Sequence, residues 1–339
     1  MKSVALNRLK ERKWGVMCHF LNSIQNNPEM PSNEGMGRTS WNEVVAQVDV
    51  KNIAKELHEM KAGYVLFTIM QGYPYLIAPN ATYDRITGSK AGESCSKRDL
   101  VLDLYAELQK YEIDLYLYFT GDGPYKDPKA GPVMGFHKRM QEVPIPERFL
   151  KNWSAVLKEY AERYKDVAKG WWIDGCYDYF GYTEEKIKYY HDVLYAANPN
   201  FIVTYNDGWA IEEAVRRATP KYDPANDEPQ PVDLQLRRYS RYEDYVSGEA
   251  FDFNIYPDNR FLDGSQWHIL SPLGKSGSPG GGWGGVDVKY TKKYLSNYLK
   301  TVWEKGGVVT IDMGLMRSGK FYPEQKNFIV DLMGDVDKS

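Results

Sequence analysis

Residues 170–175 read Gly170-Trp171-Trp172-Ile173-Asp174-Gly175, and the reading of this stretch decides the fold. A short apolar run rich in large side chains is what a strand buried on both faces requires. Asp174 ends the run and a glycine follows, so a carboxylate stands where a buried strand gives way to a loop. The pattern of a short apolar run recurs at 14–20 (WGVMCHF), 63–69 (GYVLFTI), 113–119 (IDLYLYF), 201–206 (FIVTYN) and 307–313 (GVVTIDM). Helical stretches lie between these runs, at 41–61 (with Ser40 placed to cap it), 97–111, 146–165, 183–197, 289–305 and finally 323–333. Short apolar strands alternating with amphipathic helices define βα units on a parallel sheet. The section 220–285 is irregular and rich in Pro, Gly and Asp; strands six and seven are expected there, near 244–247 and 267–270. Eight strands in eight repeats give an α/β fold, a (β/α)₈ TIM barrel, as one domain over residues 1–339. That length accommodates the ~250-residue barrel with loop insertions. An open doubly wound sheet is the competing architecture, weakened because no Gly-rich phosphate turn follows the first strand.

In a barrel, the carboxyl ends of the strands and the loops after them form the active face. Read in order, those ends supply His19, residues 68–71 with Gln71, residues 118–122 with Tyr118, Asp174, Asn206 and Asp207, Glu249 or Asp252, and His268. A carboxylate ending a buried strand beside two indoles costs desolvation unless it is paired or used. A loop-bracing or helix-capping Asp would read the same way. Glycoside cleavage needs two groups flanking the bond, ~5–5.5 Å apart for retention and wider for inversion. The partner of Asp174 stays open among Glu249, Asp252 and His268. The plain alternatives are a solvated loop carboxylate for Glu249 and a packed histidine for His268. Trp172 braces the pocket or fills the core, Tyr118 faces either the barrel interior or the helices, and Gln71 offers a neutral hydrogen-bond partner or is a loop residue. The stretch 276–285 (SGSPGGGWGG) reads as a flap bearing Trp283 or a plain connector. It is not a phosphate loop, since no GK[ST] follows.

Composition narrows the partners. With 26% charged residues, a net charge of −3 and no basic stripe, nucleic acid is not an expected partner. No run of eighteen apolar residues occurs, so no membrane span is expected. The opening MKSVALNRLKERKW lacks an apolar core and does not read as a signal peptide; a removed leader would make the protein periplasmic or secreted. The three cysteines and five histidines show neither HExxH nor CxxC spacing, and no metal or other cofactor is expected. The 27 Tyr and 9 Trp suggest a ring-lined, polar-tipped cleft of the kind that sugars suit.

At these residues the chain resembles the family 29 glycoside hydrolases, the retaining α-L-fucosidases. Residues 13–19 (KWGVMCH) are similar to the family's opening KFGIFIHWG, with His19 on its sugar-binding histidine. Residues 97–104 (KRDLVLDL) and 115–119 resemble RDLVGEL and GLYYS. GWWIDG matches the WFDG segment that carries the nucleophile, which assigns that role to Asp174. Tyr205-Asn206-Asp207 is like NDR, 244–249 (DYVSGE) is like DYxTPE, and 305–319 (KGGVVTIDMGLMRSG) follows KGGNLLLNIGPxxDG. Six motifs in the correct order span nearly the whole length. The departures fall in the sugar pocket. HWG is here His19-Phe20-Leu21, KHHDGF is Met70-Gln71-Gly72-Tyr73, the NDR arginine is Gly208, and a Trp-Glu pair is Trp267-His268. The C-terminal β-sandwich of many members has no counterpart in this sequence. Related endo-acting fucoidan hydrolases pair an Asp nucleophile with a His acid/base, which makes His268 a rival to Glu249; Glu249 is placed ahead because DYVSGE matches a stretch.

The resemblance implies a retaining glycoside hydrolase that cleaves an α-L-fucoside or related sugar, in an oligosaccharide or polysaccharide, through a glycosyl–Asp174 ester. Asp174 with Glu249 or His268 would carry the chemistry; His19, Gln71, Tyr118, Trp172, Asn206 and Trp267 would hold the sugar. The alternative is a carbohydrate-binding barrel that has lost catalysis. A lyase or isomerase would need a metal or phosphate site that the sequence does not offer.

Overall fold

The apolar runs become strands. In the computed structural model, which describes residues 2–137, 144–212, 215, 222, 223, 225, 234–275 and 282–336, β1 (Trp14–Cys18), β2 (Tyr64–Thr68), β3 (Asp114–Thr120), β4 (Gly170–Asp174) and β5 (Ile202–Tyr205) follow in turn. After the small antiparallel pair β6 (Phe261–Leu262) and β7 (Ser265–Gln266) come β8 (His268–Pro272) and β9 (Val308–Met313). Seven of these pair in the order β5-β4-β3-β2-β1-β9-β8, every pairing parallel, and the sheet curls into a half-barrel with helices outside. No helix among the described residues is long and apolar enough to cross a membrane.

Period-two alternation sorts the strand side chains. Val16, Leu117, Phe119, Trp171 and Ile173 join the outer core beneath the helices, whereas Met17, Leu66, Tyr116, Tyr118, Trp172 and Leu270 fill the interior. Tyr118, open in the sequence, faces inward. Outside, Trp153 of the helix Glu147–Arg163 stacks on Phe119 at 4.8 Å and donates from Nε1 to the Thr120 carbonyl at 2.5 Å. The helix Lys2–Arg12 lies against β5 and β9; its Arg8 and Arg12 donate to the buried Asp114 carboxylate at the start of β3, at 2.5–3.0 Å.

Two sequence expectations need correction. The stretch 41–61 is two helices, Trp41–Ala46 and Val50–Glu59, not one. Ser40 caps the first, as expected, and Glu43 completes a capping box with it. Asp49 then caps a second start by accepting from Asn52 N at 3.1 Å, while its own N–H donates to the Ser318 carbonyl at 3.0 Å. The sixth strand, expected at 244–247, does not form; the sheet has seven parallel strands. Residues 244–250 instead make single bridges, Tyr245 to Gln266 and Glu249 to Leu270. Asp244 N donates to the Val203 carbonyl of β5 at 2.8 Å, and Leu270 N of β8 donates to the Gly248 carbonyl at 2.8 Å. This segment thus touches β5 on one side and β8 on the other.

Gly248 lies between these two bridges. Its φ is +64°, and an added Cβ would lie 2.0 Å from the His268 carbonyl oxygen. We expect Gly248→Ala to destabilise the fold by ~1–3 kcal/mol or more, from left-handed strain and this backbone clash together. Urea unfolding measures the loss; an unchanged midpoint would show that the turn relaxes freely.

Candidate active site

The carboxyl ends of the parallel strands converge on one cavity of about 350 Å³. Its wall includes His19 after β1, Gln71 after β2, Tyr118 of β3, Asp174 closing β4, and Glu249 of the bridging segment. Asp174 is buried and receives four hydrogen bonds. Tyr118 Oη and Gln71 Nε2 (3.3 Å) donate to Oδ2; Asn206 Nδ2 (2.8 Å) and Tyr177 Oη (3.1 Å) donate to Oδ1. Four donors around two oxygens match the acceptor-only chemistry of a carboxylate and fix its direction. Gly175 is required behind it: its φ is +69°, and a Cβ there would come within 2.7 Å of the Asp122 carboxyl carbon.

The Asn206 amide nitrogen also donates to Glu249 Oε2, so one NH₂ group joins the two acids. Two hydrogen-bond lengths of ~2.7–3.2 Å each keep the bonded oxygens within about 6 Å of one another. Burial, then the charge of Asp174, push the Glu249 carboxyl up to about 8. Buried Asp122 follows the same logic: burial, against the Thr120 hydroxyl bond and reinforced by Asp174, raises it to about 8. His19 Nδ1 donates to Asp312 Oδ2 at 2.6 Å. Burial opposes the charge on its ring, but Asp312, aided by Asp174 and Glu249, outweighs burial and holds the imidazole above its ordinary value. Asp312 also accepts from Gly284 N at 2.6 Å, and Trp283 sets its ring edge-on to His19 at 5.9 Å. Trp172 stacks on Tyr118 at 5.4 Å and donates from Nε1 to the Ser247 carbonyl at 3.1 Å.

The structure therefore gathers Asp174, Glu249, His19, Gln71, Tyr118, Trp172 and Asn206 around one pocket. It does not gather His268, Trp267 or Asp252. β8 runs 268–272, so His268 begins the strand instead of ending it. Buried inside the sheet, its Nδ1 faces the Val246 carbonyl at 3.0 Å and its Nε2 the Thr310 hydroxyl at 2.6 Å, which is also 2.6 Å from Tyr64 Oη. Trp267 belongs to the outer core. Asp252 pairs with buried Lys289 at 2.9 Å, and Asp207 is engaged by Arg237. Of the expected flap, 276–281 lie outside the described residues, whereas Trp283 does line the pocket. Sequence reading missed Asp312 and Tyr177, and it reached Asp122 only as the end of the range 118–122, without a role. Among the described residues, no three His, Cys, Asp or Glu side chains are grouped to hold a metal ion.

A test follows for His268. Burial lowers it to about 4 from an ordinary 6.5, so the folded chain keeps it neutral while the unfolded chain takes up the proton. Its contribution to stability is present above pH ~6.5 and is lost as pH falls towards 4. We expect His268→Leu to cost ~1–3 kcal/mol at neutral pH by stranding Thr310 and Val246, and to flatten the stability profile between pH 6.5 and 4. Urea titrations across that range measure both. Undiminished stability with a displaced activity–pH profile would return His268 to the chemistry.

No protein-family model and no curated protein matches the chain at the level of sequence. Solved structures do. A family 29 α-L-fucosidase from Bacteroides thetaiotaomicron, trapped as a covalent intermediate, superposes with a TM-score of 0.61 at 17% identity, over 98% of this chain and 74% of its own. An endo-fucoidan hydrolase of glycoside hydrolase family 107 gives 0.66 at 12%, over 97% and 93%. An α-L-fucosidase from Lactobacillus casei bound to α-L-fucose gives 0.61 at 14%, over 98% of each chain. The chain thus has the fucosidase-like fold of these glycoside hydrolases.

Proposed function

We propose that the protein is a retaining glycoside hydrolase, a divergent relative of the family 29 α-L-fucosidases, acting on an α-L-fucoside or related deoxy sugar. The observation that carries the reading is the Asn206 bridge between Asp174 and Glu249 at the pocket wall. The spacing it imposes suits a nucleophile and acid/base pair that flank a bond without room for an intervening water. In the first step Asp174 attacks the anomeric carbon while Glu249, protonated near neutrality, delivers its proton to the leaving oxygen. Esterification removes the Asp174 charge that helps raise Glu249, whose proton affinity then falls, fitting it to take a proton from water in the second step. The apolar Ile24, Met30 and Leu270 in the same wall suit the methyl of a 6-deoxy sugar. In this reading residues 1–339 form one catalytic domain, a closed (β/α)₈ barrel with 244–250 in the place of the sixth strand. The scheme uses no cofactor.

Hydrolysis of aryl α-L-fucoside, α- and β-galactoside, L-rhamnoside and L-arabinoside, with a fucose-containing oligosaccharide alongside, tests the proposal. One substrate should turn over with the anomeric configuration retained by NMR. Inversion would remove the double displacement, and silence on all would remove the enzyme.

A further inference from the structure

At the amino ends of β3, β4 and β5 lies a cavity of about 530 Å³ that shares no residue with the reaction pocket. The helix Lys2–Arg12 contributes Val4, Ala5 and Arg8 to its wall; the segments entering β4 and β5 contribute Lys165, Lys169 and Phe201. Tyr116 of β3 lines it from the barrel interior. That side chain is only 3% exposed, yet its hydroxyl makes no hydrogen bond among the described residues. A buried tyrosine usually gives its O–H a partner, and the interior Tyr64, Tyr118 and Tyr245 all do so. The Tyr116 oxygen keeps some accessible surface, so its partner is whatever occupies the cavity.

The cavity is positively charged. Arg8 and Arg12 both donate to the single Asp114 carboxylate, which leaves one positive charge uncompensated. Lys165 and Lys169 add two ammonium groups that no hydrogen bond or ion pair engages among the described residues. Asp166 is the one acid in the wall. Lysines on a surface are ordinarily just solvated, but here they stand beside apolar Val4, Ala5 and Phe201 and a buried hydroxyl without a partner. This combination asks for a ligand with an anionic end and an apolar body. The surplus charge matches a dianion better than a carboxylate, and lysine serves phosphate well as a point charge.

We propose that this cavity binds a small phosphate monoester carrying a ring. Lys165 and Lys169 hold the phosphate, Phe201 with Val4 and Ala5 packs on the ring, and the Tyr116 hydroxyl donates to the ligand. The volume lies within the ~300–1,000 Å³ usual for ligand pockets. Chemistry in barrel folds takes place at the carboxyl ends of the strands, so an occupant of the amino end is an effector and not the substrate. The site is independent of the glycosidase reading.

The test is calorimetric titration of the full chain with phenyl phosphate, inorganic phosphate and phenol at low salt. Phenyl phosphate should bind with a Kd of about 1 mM or lower, at least ~10-fold more tightly than either of its halves. Lys165→Ala and Lys169→Ala, neither in the buried core, should each weaken it at least ~5-fold without moving the melting temperature. Tyr116→Phe keeps the ring in the interior and removes only the hydroxyl, and should weaken binding by ~3–5-fold. Glu249→Gln, in the reaction pocket, should leave it unchanged. Absence of saturation would overturn the site, and so would inorganic phosphate binding as tightly as phenyl phosphate, which would show a basic surface only. Binding that survives all three substitutions, or that falls in Glu249→Gln, would place the ligand in another cavity and overturn it as well.

Discussion

Asp174→Ala is expected to lower turnover of whichever glycoside the wild-type chain hydrolyses by at least ~10⁴-fold, because a nucleophile's loss removes the covalent route altogether. The substitution also leaves the donors of Tyr118, Gln71, Asn206 and Tyr177 without their acceptor, so a second readout is needed to separate chemistry from collapse of the pocket. Sodium azide supplies it. A small anion entering the space vacated by the carboxylate should restore cleavage of an aryl glycoside and release a glycosyl azide of inverted configuration. Rescue with inversion identifies Asp174 as the group that attacks. Full turnover in Asp174→Ala would place the nucleophile elsewhere. Saccharide binding by both chains with no turnover by either would establish the carbohydrate-binding barrel instead.

Why Asp174 could be read from sequence, and other members of the site could not, has a physical explanation. A buried strand advertises itself by its apolar run, and an acid at its end is an anomaly that burial makes expensive. Asp312 stands one residue before the end of VVTIDM, an equally costly acid in a buried strand that pairs with His19, so its signal was present without a motif to draw attention to it. Tyr177 carries no such signal, being one tyrosine among 27 whose direction depends on the loop after β4. His268 shows what strand direction decides. Whether the strand is drawn at 267–270 or at the observed His268–Pro272, the residue lies at the amino end, away from the active face and between Val246 and Thr310, so it does not belong among the carboxyl-end residues. At the sixth position the chain makes only the isolated bridges of Tyr245 and Glu249, with Gly248 at positive φ between them, and Glu249 still reaches the pocket. The helix Lys2–Arg12 escaped notice because Leu9 is its one buried residue, leaving almost no apolar stripe to find. Parallel pairing and helix faces follow from periodicity, which sequence displays; the meeting of Asn206 with two acids depends on loop geometry, which it does not.

Glu249→Gln separates the acid/base from its rivals by the way its effect depends on the leaving group. Glutamine keeps the shape of the side chain but cannot deliver a proton, so kcat/KM on a glycoside with a poor leaving group should fall by ~10²–10⁴-fold. A dinitrophenyl glycoside, whose leaving oxygen needs little protonation, should be cleaved in the first step at nearly the wild-type rate. Its release from the enzyme would then be slow, because no base activates water, and a burst of phenolate should precede steady turnover. The pH profile carries a second signature. Because burial and the charge of Asp174 raise Glu249 to about 8, the wild-type chain should hold its kcat/KM up to that pH and lose it above, as the acid gives up its proton. Glu249→Gln removes the titrating group, so the alkaline limb should disappear. If the limb persists and both leaving groups suffer equally, Glu249 serves only to hold Asn206, and the proton must come from another group near Asp174. Asp122, raised to about 8 by its own burial, is the carboxyl that Asp122→Asn would then test.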